Sequence, residues 1–191
     1  FGSFLYNVFL STNNKFLCYL NSDILLLSDF CEAFHECKSR WDNFQMIGQR
    51  VDWMDSNWIR FNKNISDNEI RRRVQDDNSK LHSDQGIDYF CFNRDVYSTQ
   101  LDDMPDFLLA RQRFDHYLSY APRRIGAEVI DCTNRVYCIH HEENQASRKK
   151  SWTTKPSFKR QCKENNIMYI NAGQRDRISV SSIPTARTCK L

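Results

Sequence analysis

Phe16-Leu17-Cys18-Tyr19-Leu20-Asn21-Ser22-Asp23-Ile24-Leu25-Leu26-Leu27 is an apolar run that enters an Asn-x-Asp pair and leaves it at once into a second apolar run. The flanks favour burial, whereas Asn21 and Asp23 need water, hydrogen bonds or a cation. In an extended chain, side chains two apart share a face, so the pair would present its oxygens side by side at the end of a buried strand. Oxygens so placed suit a hard divalent cation. The competing reading is a cap on the helix that follows.

Working outward, Ser28 stands as an N-cap before Phe30, Ala33, Phe34, Cys37 and Trp41, whose spacing predicts a helix with one buried face. On the other side, Phe4, Leu5, Val8 and Phe9 predict a short amphipathic helix that ends in the polar run Ser11 to Lys15. Phe44 to Gly48 alternates like a strand, and Gln49 to Trp53 leads out of it. Apolar residues then thin from Asp55 to Gln85, which reads as a surface insertion. Within it, Ser66 and Glu69 form a capping box that opens a polar helix through Arg71-Arg72-Arg73, a triplet either solvated or paired with Asp76 and Asp77.

Gly86 to Phe92 restarts a buried strand with Asp88 at its entrance. Phe107 to Tyr120 has helical spacing and carries Arg111, Asp115 and His116 among apolar residues. Glu128 to Asp131 and Arg135 to Ile139 read as two short strands, the second ending on His140-His141. A last helix is expected from Pro156 to about Asn165, then an apolar patch, Ile167 to Ile170, and a turn at Asn171 to Gly173. Alternating helices and strands predict an α/β fold with a mixed, mostly parallel sheet flanked by helices.

With 191 residues and 40 % hydrophobics the chain can build one sizeable core. No run approaches the roughly 20 apolar residues that cross a bilayer. The net charge of +3 is divided unequally: up to Ala146 there are 16 Lys and Arg against 22 Asp and Glu, and from Ser147 onward 11 against 2. Residues 1–146 therefore read as one domain and 147–191 as a basic, partly helical extension packed on it. Such an extension is either a solvated face or a contact for phosphates. Nucleic acid is disfavoured as its partner, because the basic residues are not interleaved with repeated aromatics. Eight cysteines with no C-x-x-C speak against a zinc ribbon or a thioredoxin-like site. Cys18, Cys91 and Cys138 fall in predicted strands and read as small core hydrophobes. The sequon Asn64-Ile65-Ser66 leaves the compartment open between cytoplasm and Golgi lumen.

Polar points thus fall at strand ends (Asn21, Asp23, Asp88, His140) or on a neighbouring helix (Asp115), where ligands of open α/β sheets gather. Each has a plainer reading: Asp115 paired with Arg111 one helical turn away, and His140 as a satisfied core or surface histidine. The ordered set, however, resembles a family. Leu20-Asn21-Ser22-Asp23-Ile24-Leu25-Leu26, Met46-Ile47-Gly48-Gln49-Arg50-Val51-Asp52, Gly86-Ile87-Asp88-Tyr89-Phe90-Cys91-Phe92, Arg111 with Phe114-Asp115, and Val129-Ile130-Asp131-Cys132-Thr133 before Ile139-His140 are similar to the sequence blocks of a group of GT-A-type, nucleotide-sugar-dependent glycosyltransferases. The resemblance spans Phe1 to Glu143.

The resemblance implies a metal-dependent transfer of a sugar from a nucleotide-sugar donor to an acceptor hydroxyl on a glycan, protein or small molecule. Asn21-Ser22-Asp23 falls at the D-x-D-type motif, so Asp23 would bind Mn²⁺ or Mg²⁺ bridging the donor diphosphate, with His140 as a late metal ligand. Asp115 would be the general base, Asp88 would line the sugar or acceptor pocket, and Arg50, Arg111 and Asn21 would contact substrate. Around the base the chain carries Ala110, Phe114, His116 and Tyr117 where the family favours Gly, Trp, Asn and Trp, which bears on acceptor choice. Few residues precede Asn21 compared with the nucleotide-binding strands the family places there. The expectation is a C-terminal catalytic part of a longer enzyme, or alternatively a non-catalytic module of GT-A origin that binds through its basic tail.

Overall fold

The strand Tyr89–Asn93 is buried along its whole length, and its alternation identifies what encloses it. Phe90 and Phe92 enter one apolar cluster with Leu5, Phe9, Tyr117 and Tyr169, while Tyr89 and Cys91 enter another with Ala33, Cys37, Phe44 and Met46. Successive side chains of a strand point to opposite faces, so this strand lies in a sheet covered on both sides. Its asparagine is satisfied: Asn93 donates to the Asp42 carbonyl and accepts from the Asp95 amide.

The computed structural model describes residues 2–53, 65–109, 111, 113–141, 155–172 and 187–188. In chain order the elements are α1 (Gly2–Ser11), β1 (Phe16–Leu20), β2 (Ile24–Leu26), α2 (Asp29–Arg40), β3 (Phe44–Ile47), β4 (Val51–Trp53), α3 (Asp67–Asp76), β5 (Lys80–Leu81), β6 (Tyr89–Asn93), α4 (Asp95–Ser98), α5 (Phe114–Tyr120), a 3₁₀ turn (Ala121–Ile125), β7 (Glu128–Asp131), β8 (Cys138–His141), α6 (Pro156–Asn171) and β9 (Arg187–Thr188). Two sheets form, ordered β1-β6-β3-β7-β9 and β2-β8-β4-β5.

The α/β class holds, but the sheets are mixed and mostly antiparallel. β1/β6, β3/β6, β2/β8 and β4/β5 are antiparallel, and β3/β7, β4/β8 and β7/β9 are parallel. The physical reason is β6. The crossover β1–α2–β3 that helix–strand alternation predicts is present, yet its two strands do not pair, because β6 lies between them and runs against both.

Three times the chain passes from the larger sheet to the smaller without a helix between: β1 to β2, β3 to β4 and β7 to β8. The breaks fall at Asn21–Asp23, Gly48–Arg50 and Cys132–Tyr137, and the bridge between Gln49 and Ile87 lies on the same seam. Gly48 permits this close approach, since a Cβ there would stand 2.4 Å from the Tyr89 hydroxyl and 3.2 Å from the Thr133 amide nitrogen. The seam collects the polar residues.

Several local expectations are corrected. β1 is an edge strand and only partly buried, and Cys18 is exposed, whereas Cys91 and Cys138 are buried. The Ser28 side chain makes no cap hydrogen bond to α2; the residue's amide and hydroxyl instead bind Asp67. The helix expected from Phe107 begins only at Phe114. Leu108 gives its amide and carbonyl to the side chain of Asn165, which removes the backbone groups a helix would use, and Arg113 enters α5 with a left-handed φ of 88°.

Within the presumed surface insertion, Ile70 and Val74 of α3 are buried against Leu27, Trp53 and Ile139. Ser66 caps α3 by accepting from the Glu69 amide. In the arginine triplet Arg72 pairs with Glu69 and Asp76, Arg73 with Glu69, and Arg71 with Asp29, while Asp77 accepts from the Trp53 indole instead. The tail helix α6 runs on through the apolar patch, and its Tyr169 is buried in the main core. Asn64 lies outside the described residues.

Candidate functional site

The turn after β1 fixes the first group of side chains. The Asn21 amide donates to the Asp88 carbonyl, extending the β1/β6 ladder by one pair, and the Asn21 carbonyl accepts from the Ile24 amide to close the turn. The Asp23 carbonyl then accepts from the His141 amide, so the β2/β8 ladder starts at Asp23. Both backbones are pinned, and the side chains between them face the seam.

Two networks result. In the first, Asn21 Nδ2 donates to Asp88 Oδ1, Tyr19 Oη donates to Asn21 Oδ1 at 3.0 Å, and Arg50 Nη1 binds Asp88 Oδ2. In the second, His140 Nε2 lies 3.2 Å from Asp23 Oδ2, His140 Nδ1 lies 3.1 Å from Asp52 Oδ1, and His82 Nδ1 lies 2.5 Å from Asp52 Oδ2. Arg50 joins them, because its Nε donates to Asp52 Oδ1 at 2.8 Å. Strand register explains the meeting: His140 is opposite Ile24 on one side and Asp52 on the other. His140 therefore lies inside β8 rather than beyond its end.

His140 is buried, whereas the Asp23 side chain is 53 % exposed and open to a ligand. Carboxylates accept only, so two of them on one imidazole require two N–H groups. A ring carrying one proton, given to Asp52 through Nδ1, leaves Nε2 and Asp23 Oδ2 facing each other as two acceptors. Their 3.2 Å separation is close to that of neighbouring ligands in an octahedral shell, about 3 Å for bonds of about 2.1 Å. A carboxylate on the far nitrogen of a metal-bound histidine is also the usual support for such a ligand. The pair thus fits a divalent cation as a partial shell. Among the described residues no group of three or more His, Cys, Asp or Glu could hold a metal ion.

The electrostatics follow from these contacts. A ring that instead gives its Nε2–H to Asp23 holds that carboxylate below the usual range, the His140 hydrogen bond being the largest cause. Burial raises Asp52, but hydrogen bonds from His82 and Arg50 outweigh it and leave its acidity increased. Tyr19 is pushed up to about 12 by burial and by the fields of Asp88, Asp115 and Asp23. Asp115, in the first turn of α5, is raised to about 6, first by burial and then by Asp88, against the opposing pull of its backbone hydrogen bonds, including that from the His116 amide.

Asp23, His140, Asn21, Asp88 and Arg50 are therefore brought together, and Asp115 lies within their field. Arg111 is not a partner of Asp115: its Nε donates to Gln161 and its guanidinium stacks on Phe158, both on α6. Asn21 faces Asp88 and Tyr19 rather than Asp23. Asp52 and His82 were not singled out in the sequence. Asp52 carries a weak signal, a carboxylate two residues after Arg50 and so on the same strand face. His82 carries none, since its place depends on the Arg50 carbonyl that binds its amide and on Gly86, where a Cβ would lie 2.2 Å from its ring. Comparison with protein families, curated proteins and solved structures finds no match for this chain.

Proposed function

We propose that the chain is a metal-dependent glycosyltransferase, or the catalytic part of one, that takes a nucleotide-sugar donor and an acceptor bearing a hydroxyl. One observation carries the reading: Asp23 and His140, 117 positions apart in sequence, stand 3.2 Å apart, and Asp52 orients the imidazole from behind. The pair would hold Mn²⁺ or Mg²⁺, leaving the remaining positions to water and diphosphate oxygens, the way such ions are commonly shared between protein and phosphate. When bound, the cation supplies charge neutralisation to the departing nucleoside diphosphate.

The protein's own groups have separable tasks in this reading. Asp52 holds the His140 ring and is itself bound by His82, and Arg50 neutralises both Asp52 and Asp88. Asp88, fixed by Arg50 and Asn21, keeps a rigid carboxylate on the seam for hydroxyl groups of a sugar. Asp115 takes the acceptor proton at its carboxylate, and its pKa of about 6 suits a base that must be ionised at neutral pH yet still hold a proton. The test is calorimetric titration of the chain with Mn²⁺ in the presence of UDP. Binding that weakens at least tenfold in Asp23→Ala supports the reading; absence of binding, or equal binding by the variant, rejects it.

A further inference from the structure

β1 and β6 carry a second chemical feature apart from the site. Cys18 and Cys91 are register partners across the antiparallel pair. The Asn21 amide binds the Asp88 carbonyl and the Arg94 amide binds the Lys15 carbonyl, which sets the phase of the ladder. Hydrogen-bonded and non-hydrogen-bonded pairs alternate along such a ladder, so the Cys18/Cys91 pair is of the non-hydrogen-bonded kind. In that kind the Cα atoms approach to about 4.5 Å, with both side chains on one face. A disulfide spans Cα separations from about 4.4 Å to 6.8 Å. The backbone already provides the spacing.

We propose that Cys18 and Cys91 form a reversible dithiol/disulfide site, oxidised by a small-molecule disulfide such as oxidised glutathione. Access is asymmetric: Cys18 is exposed on an edge strand and Cys91 is buried behind it. Cys18 is the entry point. Its sulfur attacks one sulfur of the incoming disulfide, forming a mixed disulfide and expelling one thiolate. The Cys91 sulfur then attacks Cys18, expelling the second thiolate. Two protein thiols become one disulfide, the small disulfide becomes two thiols, and the protein's two protons end on the two released thiolates. The division of labour agrees with the hydrogen bond between the two sulfurs, which makes Cys18 the more acidic thiol, while the same bond together with burial raises Cys91.

Closing the bond would tie the edge strand to its neighbour three positions before Asn21 and three after Asp88. It would restrain the turn that carries Asn21 and Asp23, whatever ligand that turn serves. Among the described residues no other two cysteines are register partners: Cys31 is exposed on α2, Cys162 is half-buried on α6, and Cys37, Cys132 and Cys138 are buried.

The full chain is treated under native conditions with oxidised glutathione, its remaining thiols are alkylated, and it is digested with trypsin and Asp-N endoproteinase to separate Cys18 from Cys31. The expected product is a peptide linking Cys18 to Cys91, removed by dithiothreitol and retained in Cys31→Ser, while in Cys18→Ser Cys91 is recovered as an alkylated thiol. Recovery of Cys18 as a free thiol, as a lasting glutathione adduct, or linked to Cys31 overturns the proposal.

Discussion

Asp52 is the residue on which the account of the site turns, because it touches His140, His82 and Arg50 at once. If His140 is a ligand, Asp52→Asn should weaken Mn²⁺ binding about 10- to 100-fold without changing the fold, as replacement of such supporting carboxylates does; far-ultraviolet circular dichroism and titration together check this. Asp115 gives a second expectation. Its folded-state pKa, about 6, lies above its ordinary value of 3.8, so between those values the folded chain holds a proton that the unfolded chain has lost. Its contribution to stability is therefore greatest below about pH 4 and declines as pH rises to about 6. Asp115→Asn should be more stable than the parent above pH 6 by about 1–3 kcal/mol, with the gain vanishing near pH 4; denaturant melts at the two pH values measure it. In the sequence, Asp23 and His140 were visible as polar residues beside predicted strands. Asp52 and His82 were not, since what makes them matter is a partner 88 or 30 positions away.

Among the elements, those defined by local pattern were readable and those defined by a distant partner were not. α1, α2 and β3 follow their apolar spacing closely. The helix expected over 107–120 is shortened by Asn165, a buried residue of α6 whose carboxamide binds both the amide and the carbonyl of Leu108 at 2.9 Å. Arg111, which precedes the shortened helix, gives its Nε to Gln161 of α6. Asn165→Ala leaves two backbone groups of the exposed Leu108 to water and should lower stability by about 1–3 kcal/mol, two hydrogen bonds at their usual net value; chemical denaturation of the variant and its parent gives the number. β1 misled in a different way: its apolar content suggested burial, yet it occupies a sheet edge, and apolar side chains on an edge strand look the same in sequence as those in a core.

For the whole molecule, the α/β class was legible from alternation, whereas strand order was not. No local signal tells β6 to enter between β1 and β3, and that insertion turns an expected parallel arrangement into two mixed sheets joined along a polar seam. The charge division, acidic to Ala146 and basic beyond, marks 147–191 as an extension packed on the rest, and from that extension α6 contributes Tyr169 and Asn165 to the buried interior. The fold's consequence for function is the seam itself, which gathers Asp23, Asp52, Asp88 and His140 from four regions of the sequence. The most direct measurement is pulsed electron paramagnetic resonance of the chain with Mn²⁺ and UDP. Nitrogen modulation from a directly bound imidazole that disappears in His140→Gln, together with phosphorus coupling from the diphosphate, is the result expected of the proposed site. Bound Mn²⁺ with no imidazole nitrogen, or a nitrogen signal unchanged in His140→Gln, would contradict it.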